Sequence, residues 1–180
     1  EFRRREHGVA TRLAVAVAPL APVEVRRLTV TNEGAAPRRL RVASCGEPVL
    51  ADAAAYRRHP AFSKLFVESA FSANPPTLIF RRRTPGPEDP SLQLGHTVVH
   101  GAEVRFAGWE TDRARFVGRG GSPAAPAGLR GADALSGTAG TVLDPVFAMA
   151  CEVTLAPGAV VLITYDPSGR RLVALTDSRP

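Results

Sequence analysis

The chain has little of what several classes of protein depend on. Lysine occurs once, at Lys64, tryptophan once, at Trp109, and cysteine only at Cys45 and Cys151. Two cysteines far apart are too few for the disulfide framework of a small secreted domain. Neither belongs to a CxxC pair or has a histidine nearby, which argues against a zinc site. Each lies in an apolar-rich segment, so two buried free thiols is the default reading, with a disulfide left open. No apolar run is long enough to span a bilayer, and no signal-peptide pattern opens the chain. His7, His59, His96 and His100 have no metal-like spacing and read as surface or local structural residues. No serine stands in a Gly-x-Ser-x-Gly setting, and no P-loop is present. Neither a metal nor a cofactor is expected.

Aromatic rings are also scarce. Beyond Trp109 there are Tyr56, Tyr165 and 8 phenylalanines, and the phenylalanines read as core. A free-standing carbohydrate module exposes several rings, so strong autonomous sugar binding is not expected.

What the chain does have is arginine, alanine, glycine and proline. The net charge is +6. Its basic residues come in small groups, such as Arg3-Arg4-Arg5, Arg26-Arg27, Arg38-Arg39 and Arg81-Arg82-Arg83. They read as solvent faces and strand ends rather than one patch interleaved with aromatics, so a nucleic-acid partner is not expected. With 180 residues and 44% hydrophobic content the chain can bury one good core, so residues 1–180 read as a single domain. It begins at Glu1 without methionine and ends at Pro180 after a strand-like segment, which reads as a piece of a longer protein.

Period-two alternation dominates. Residues 8–18 carry Leu13, Val15 and Val17 two apart, the mark of a half-buried strand. Residues 23–31 form a second strand whose apolar phase shifts at Arg26-Arg27, where a bulge would absorb the extra residue. Residues 39–49 alternate again after the Asn32-Glu33-Gly34 turn. Alanines predict a short helix over 51–56, and 61–71 is read as extended. Further strands are expected at 77–83, 97–100, 103–109, 147–155 and 160–165, with a turn at 166–169 and a last strand at 171–175. Residues 84–90 read as a proline-rich surface loop and 118–140 as a long one. Many short strands between turns mean an all-β antiparallel sandwich with at most one or two short helices.

One stretch combines more chemistry than the rest: Trp109-Glu110-Thr111-Asp112-Arg113-Ala114-Arg115-Phe116-Val117-Gly118-Arg119-Gly120. Its bland reading is a strand ending in a solvated, salt-bridged loop. Glu110 and Asp112 would share a strand face, which suits ion pairs with Arg113, Arg115 or Arg119. It does not suit glycoside hydrolysis, where two carboxyls flank the bond. Gly118-Arg119-Gly120-Gly121 is a weak anion cradle.

The same stretch resembles a segment of the β-sandwich domain of family 94 glycoside phosphorylases. It is most similar to the copy at the C-terminal end of bacterial cyclic β-1,2-glucan synthases. Other blocks agree in order: Gly8–Leu13, Val23–Asn32, His59–Glu68 and Leu135–Phe147. The resemblance implies a supersandwich domain, followed in the full enzymes by a helical linker and an (α/α)6 barrel. The barrel carries the general acid and the phosphate-binding residues, so no position here inherits them and the catalytic residue set of this chain is empty.

The resemblance further implies a loop that reaches toward a glucan or oligosaccharide site. Trp109, Glu110, Asp112, Arg113 and Arg119 are then the candidate carbohydrate-binding residues. Trp109 would stack on a sugar face, or pack in the core. The partners implied are a β-glucan, the catalytic barrel and a second copy of the chain. A dimerisation scaffold without sugar contact is the alternative. The implied parent lies in the bacterial inner membrane with this soluble portion in the cytoplasm.

Overall fold

The computed structural model describes residues 1–84, 86, 92–130 and 135–168. The strands are β1 (Phe2–Glu6), β2 (Val9–Val17), β3 (Glu24–Asn32), β4 (Arg38–Gly46), β5 (Val67–Ala73), β6 (Pro76–Arg82), β7 (Gln93–His100), β8 (Val104–Asp112), β9 (Gly140–Thr141), β10 (Pro145–Leu155) and β11 (Val160–Ser168). They form an eight-stranded sheet, ordered β1-β2-β3-β11-β7-β6-β5-β9, and a three-stranded sheet, β4-β10-β8. All the pairings are antiparallel. The sandwich expected from the alternation is therefore observed.

The inner faces meet in one core. From the large sheet come Val30, Val67, Leu78, Phe80, Val98, Val161 and Ile163, and from the small one Val104, Phe147, Met149, Cys151, Val153 and Leu155. The odd-numbered residues of β10 point into this core. Burial of each such side chain contributes about 1.5–3 kcal/mol. Among the described residues, β10 alone is buried on both faces almost throughout, because its even-numbered side chains are covered as well.

Three local expectations are corrected. The apolar phase of β3 shifts at Arg26 without a bulge: register with β2 and β11 runs unbroken. Arg26 simply takes an inward position and pairs with Glu24, Nε to Oε1 at 2.5 Å. Two irregularities lie instead in the β8–β10 pairing, one between Pro145↔Asp112 and Ala148↔Glu110, the other in β8, where the pairing slips between Cys151↔Phe106 and Ala150↔Gly108. Gly108, at φ 127, accommodates the second. Second, residues 61–71 are not all extended. After α1 (Ala53–Arg58), a short α2 (Pro60–Lys64) begins with proline at its first turn, and Phe62 meets Phe66 edge-on at 5.1 Å. Third, β11 pairs through Ser168 with Gly95, so 166–168 is strand rather than turn. The strand expected at 171–175 lies outside the described residues.

His96, expected at the surface or in a local role, is wholly buried and tilts against Phe147 with ring centroids 4.6 Å apart. Desolvation, helped by the charge of Arg26, holds its pKa down to about 3. The folded state therefore keeps His96 neutral while the unfolded chain protonates it below about 6.5. Stability falls as pH drops through that window. Between pH 7.5 and 5 the loss should be about 2 kcal/mol in urea unfolding, and His96→Gln should flatten it.

Candidate functional site

The stretch at 109–120 is not a strand that dissolves into a loop. β8 carries it as far as Asp112, and there a third short helix, α3 (Arg113–Val117), begins. Asp112 caps it by accepting a hydrogen bond from the Ala114 N–H at 2.8 Å. Gly118, at φ 83, ends it, and its N–H donates to the Ala114 carbonyl. A Cβ at Gly118 would stand 2.7 Å from the Ala127 Cβ, so the chain turns there against the following loop. The sequence held both signals, an aspartate before the turn and a glycine after it. Five residues are too few to show a helical period.

α3 covers the outer face of the three-stranded sheet. Phe116 and Val117 are buried there with Val146 and Ala148, and Ala43, Cys45, Leu129 and Leu135 pack around them. Cys45 is half-buried, and desolvation raises its thiol pKa. Cys151 faces the opposite, inner core. Neither cysteine is in a disulfide.

Glu110 shows why charge pattern alone misleads. The sequence suggested an ion pair, but this carboxylate is 1% exposed and is held by neutral donors. Oε1 accepts from the N–H groups of Thr111 and Asp112, each at 2.8 Å. Oε2 accepts from the Ser136 hydroxyl and from the Thr138 hydroxyl at 3.2 Å. Thr111 adds a second tie, its hydroxyl donating to the Thr138 carbonyl at 2.7 Å. Gly137 adds a third, its N–H donating to the Trp109 carbonyl at 3.0 Å. Together these bonds fasten residues 136–138 along β8. Ser136 and Thr138 belonged to a recognisable block, but nothing in sequence linked them to Glu110, 26 and 28 residues away.

Trp109 is half-buried. Its ring stacks on Phe71 at 4.6 Å and 18°, and Phe71 stacks in turn on Phe106 at 6.1 Å. Gly137 lies against the indole, where a Cβ would stand 3.5 Å from Cζ2. Arg113 joins a cluster that the sequence did not foretell. Its Nε lies 3.3 Å from Glu47 and its Nη1 3.8 Å from Asp144, while Lys64 reaches the same two carboxylates at 3.0 and 2.6 Å. Desolvation works against the Lys64 charge, but bonding to Asp144 and Glu47 outweighs it and raises the pKa. Arg115 lies 3.8 Å from Asp112. Arg119 is exposed.

The glycine cradle does not form as one. The N–H groups of Gly118 and Gly121 already donate to Ala114 and Gly118 carbonyls. Residues 118–130 form a loop with one 3-10 turn at Ala127–Leu129, and 131–134 lie outside the described residues. Among the described residues, no group of three or more metal-binding side chains occurs.

A second polar cluster lies farther along the same outer face. Glu152 is bonded by Arg39 Nη2 at 2.8 Å and Arg105 Nη2 at 2.6 Å, with Arg41 Nε at 3.4 Å. Arg39 first, then Arg105, holds its carboxyl down to about 2.

Residues 1–165 match the profile of the glycosyl hydrolase 94 supersandwich domain. The chain belongs to this family. It is 32% identical over 166 residues to cyclic beta-(1,2)-glucan synthase NdvB of Rhizobium meliloti (strain 1021). That match covers 92% of this chain but 6% of the relative, so the chain spans a small part of that synthase's length. A solved polysaccharide lyase superposes on 95% of the chain and 21% of its own, with a TM-score of 0.52 at 16% identity, a likeness of fold. The supersandwich architecture is thus supported by profile, relative and geometry together. Among the described residues, no helix is long and apolar enough to cross a membrane.

Glu110→Gln replaces one acceptor oxygen of the buried carboxylate with an amide that faces donors. It should lower stability by roughly 1–3 kcal/mol. Hydrogen exchange at residues 136–138 should accelerate more than at β2 or β3, which locates the loss in the fastened segment.

Proposed function

We propose that this supersandwich domain is a non-catalytic, carbohydrate-associated part of a cyclic β-1,2-glucan synthase or related glycoside phosphorylase. It supports the catalytic barrel and presents residues 109–121 to the glucan. The family profile and the similarity to a glucan synthase support the enzyme class. One observation carries the role of the stretch: it is anchored from below and open above. Phe116 and Val117 fix α3 to the sheet, the Glu110 bonds fix its approach, and Arg119 is left exposed.

In this reading Arg119 supplies hydrogen bonds to sugar hydroxyls. Arg113 lies deeper, oriented by Glu47 and Asp144, and reaches only the edge of the bound chain. Glu110 and Asp112 position the backbone rather than touch sugar. Trp109 offers the part of its ring that Phe71 and Gly137 leave open. A single free arginine on the outer side and one half-buried ring packed on the sandwich core make few contacts, so the domain alone binds weakly, with a dissociation constant on the order of 1 mM.

Calorimetric titration with β-1,2-gluco-oligosaccharides, against cello-oligosaccharides, tests this. Saturable heat with the former should disappear in Arg119→Ala while the thermal midpoint stays unchanged. Absence of heat at several times that concentration would refute the sugar contact for the isolated domain.

A further inference from the structure

The anchored stretch at 109–121 lies on one outer side of the sandwich. The other outer side belongs to the large sheet, and near the β1 edge it is not flat. Thr11 pairs with Val30, which faces the core, so the residues on either side of them in register face out. Two cross-strand rows result. Arg3, Arg12 and Thr29 form one, and Arg5, Ala10 and Thr31 form the next. Ala10 stops at its Cβ, while the arginines and threonines around it are longer. They leave an open groove of about 640 Å3, lined also by Glu33. Small-molecule sites span about 300–1,000 Å3.

The groove presents donors in a fixed arrangement. Arg3 Nε and Arg12 Nη2 bond the two oxygens of the Glu1 carboxylate at 2.6 and 2.7 Å. Arg12 first, then Arg3, holds that carboxyl down to about 2. Two guanidiniums from neighbouring strands therefore converge within reach of one oxyanion. Glu1 itself is outside the groove lining. Arg5 is held by Glu33, Nη2 to Oε1 at 3.0 Å. Each guanidinium carries five N–H groups, so most of them remain available. Among the described residues, the Thr29 and Thr31 hydroxyls make no hydrogen bond. Arg3, Arg5 and Arg12 stand against Glu1 and Glu33, one positive charge in excess. Arg4 also borders the groove but pairs with Glu6.

We infer that this groove binds a small tetrahedral oxyanion of the phosphate or sulfate kind, free or as the head of an ester. Arg3 and Arg12 supply paired N–H donors, Arg5 supplies charge, and Thr29 and Thr31 supply hydroxyl donors to a further oxygen. A carboxylate has two oxygens, which the arginine pair already satisfies, and leaves the threonines unused. A neutral sugar leaves the excess charge unmet. The groove is on the side of the sandwich away from 109–121, so it is independent of the glucan contact proposed above.

Titration of inorganic phosphate into the full 180-residue chain, followed by amide resonances, tests this, with sodium chloride at matched ionic strength as the control. Amides of 10–12 and 29–31 should shift saturably with phosphate and not with chloride, with half-saturation on the order of 10 mM. Thr29→Val with Thr31→Val should weaken binding roughly threefold at unchanged charge. Arg12→Lys, which keeps the charge but loses the fork, should weaken it roughly fivefold. Glu1→Gln releases both guanidiniums and should tighten it several-fold. Phenyl phosphate separates the sources: affinity equal to that of phosphate marks the free ion, tighter binding marks an ester, and either supports the site. Shifts that chloride reproduces, shifts indifferent to the threonine and Arg12 variants, or shifts centred on Arg119 or on Arg39 and Arg105 would each overturn the proposal.

Discussion

The constraint on which the rest of this domain depends is the double burial of β10. A strand covered on one face needs one apolar row, whereas this strand needs two. Phe147, Met149, Cys151, Val153 and Leu155 fill the sandwich core, and Val146, Ala148 and Ala150 lie beneath the outer cover. The small side chains on the outer row matter, because they let α3 approach closely enough to bury Phe116 and Val117. The central strand of a three-stranded sheet thus becomes the middle layer of a local three-layer arrangement. Its backbone hydrogen bonds run to β4 and β8 in a nearly dry environment, where losing one is costly.

Everything in the candidate site follows from that outer cover. The helix needs a cap, so Asp112 is held by α3 and is not a free carboxylate. The loop after the helix returns along β8 and needs a tie, and Glu110 supplies it with neutral donors. Burying a carboxylate without a counter-ion is expensive unless its lone pairs are filled, and here two N–H groups and two hydroxyls fill them. The carboxylate chemistry that stood out in sequence is thereby committed to architecture. What faces solvent is the arginine chemistry at 115 and 119, together with part of one indole ring.

The two carboxylate clusters on the outer face solve the same problem differently. Glu110 is enclosed and uses neutral donors, which fill its lone pairs without a counter-ion. Glu152 lies nearer the surface and gathers arginines from β4 and β8, which tie the three strands together laterally. Exposed pairs of this kind contribute little each, but a shared carboxylate fixes the register of three strands at once.

The strands, their order of faces and the class of fold were legible in the sequence, because period-two alternation is imposed by each strand's own environment. Leu13, Val15 and Val17, or Leu40 and Val42, announce themselves without reference to any distant residue. The ordered blocks from Gly8 to Phe147 carried the family as well, since such blocks record many local constraints together. The residues 61–71 and the Arg26-Arg27 shift were misread because too few residues favour one period there, and position in the sheet decided the outcome.

The roles of Glu110, Arg113 and His96 were not legible at all. Each is set by partners from other segments: Ser136 and Thr138 for the first, Glu47 and Asp144 for the second, Phe147 and the depth of the core for the third. A sequence determines which side chains alternate and where the chain turns. Only tertiary packing decides whether a carboxylate is solvated, paired or enclosed, because desolvation and hydrogen bonding are sums over neighbours that the chain brings together from far apart.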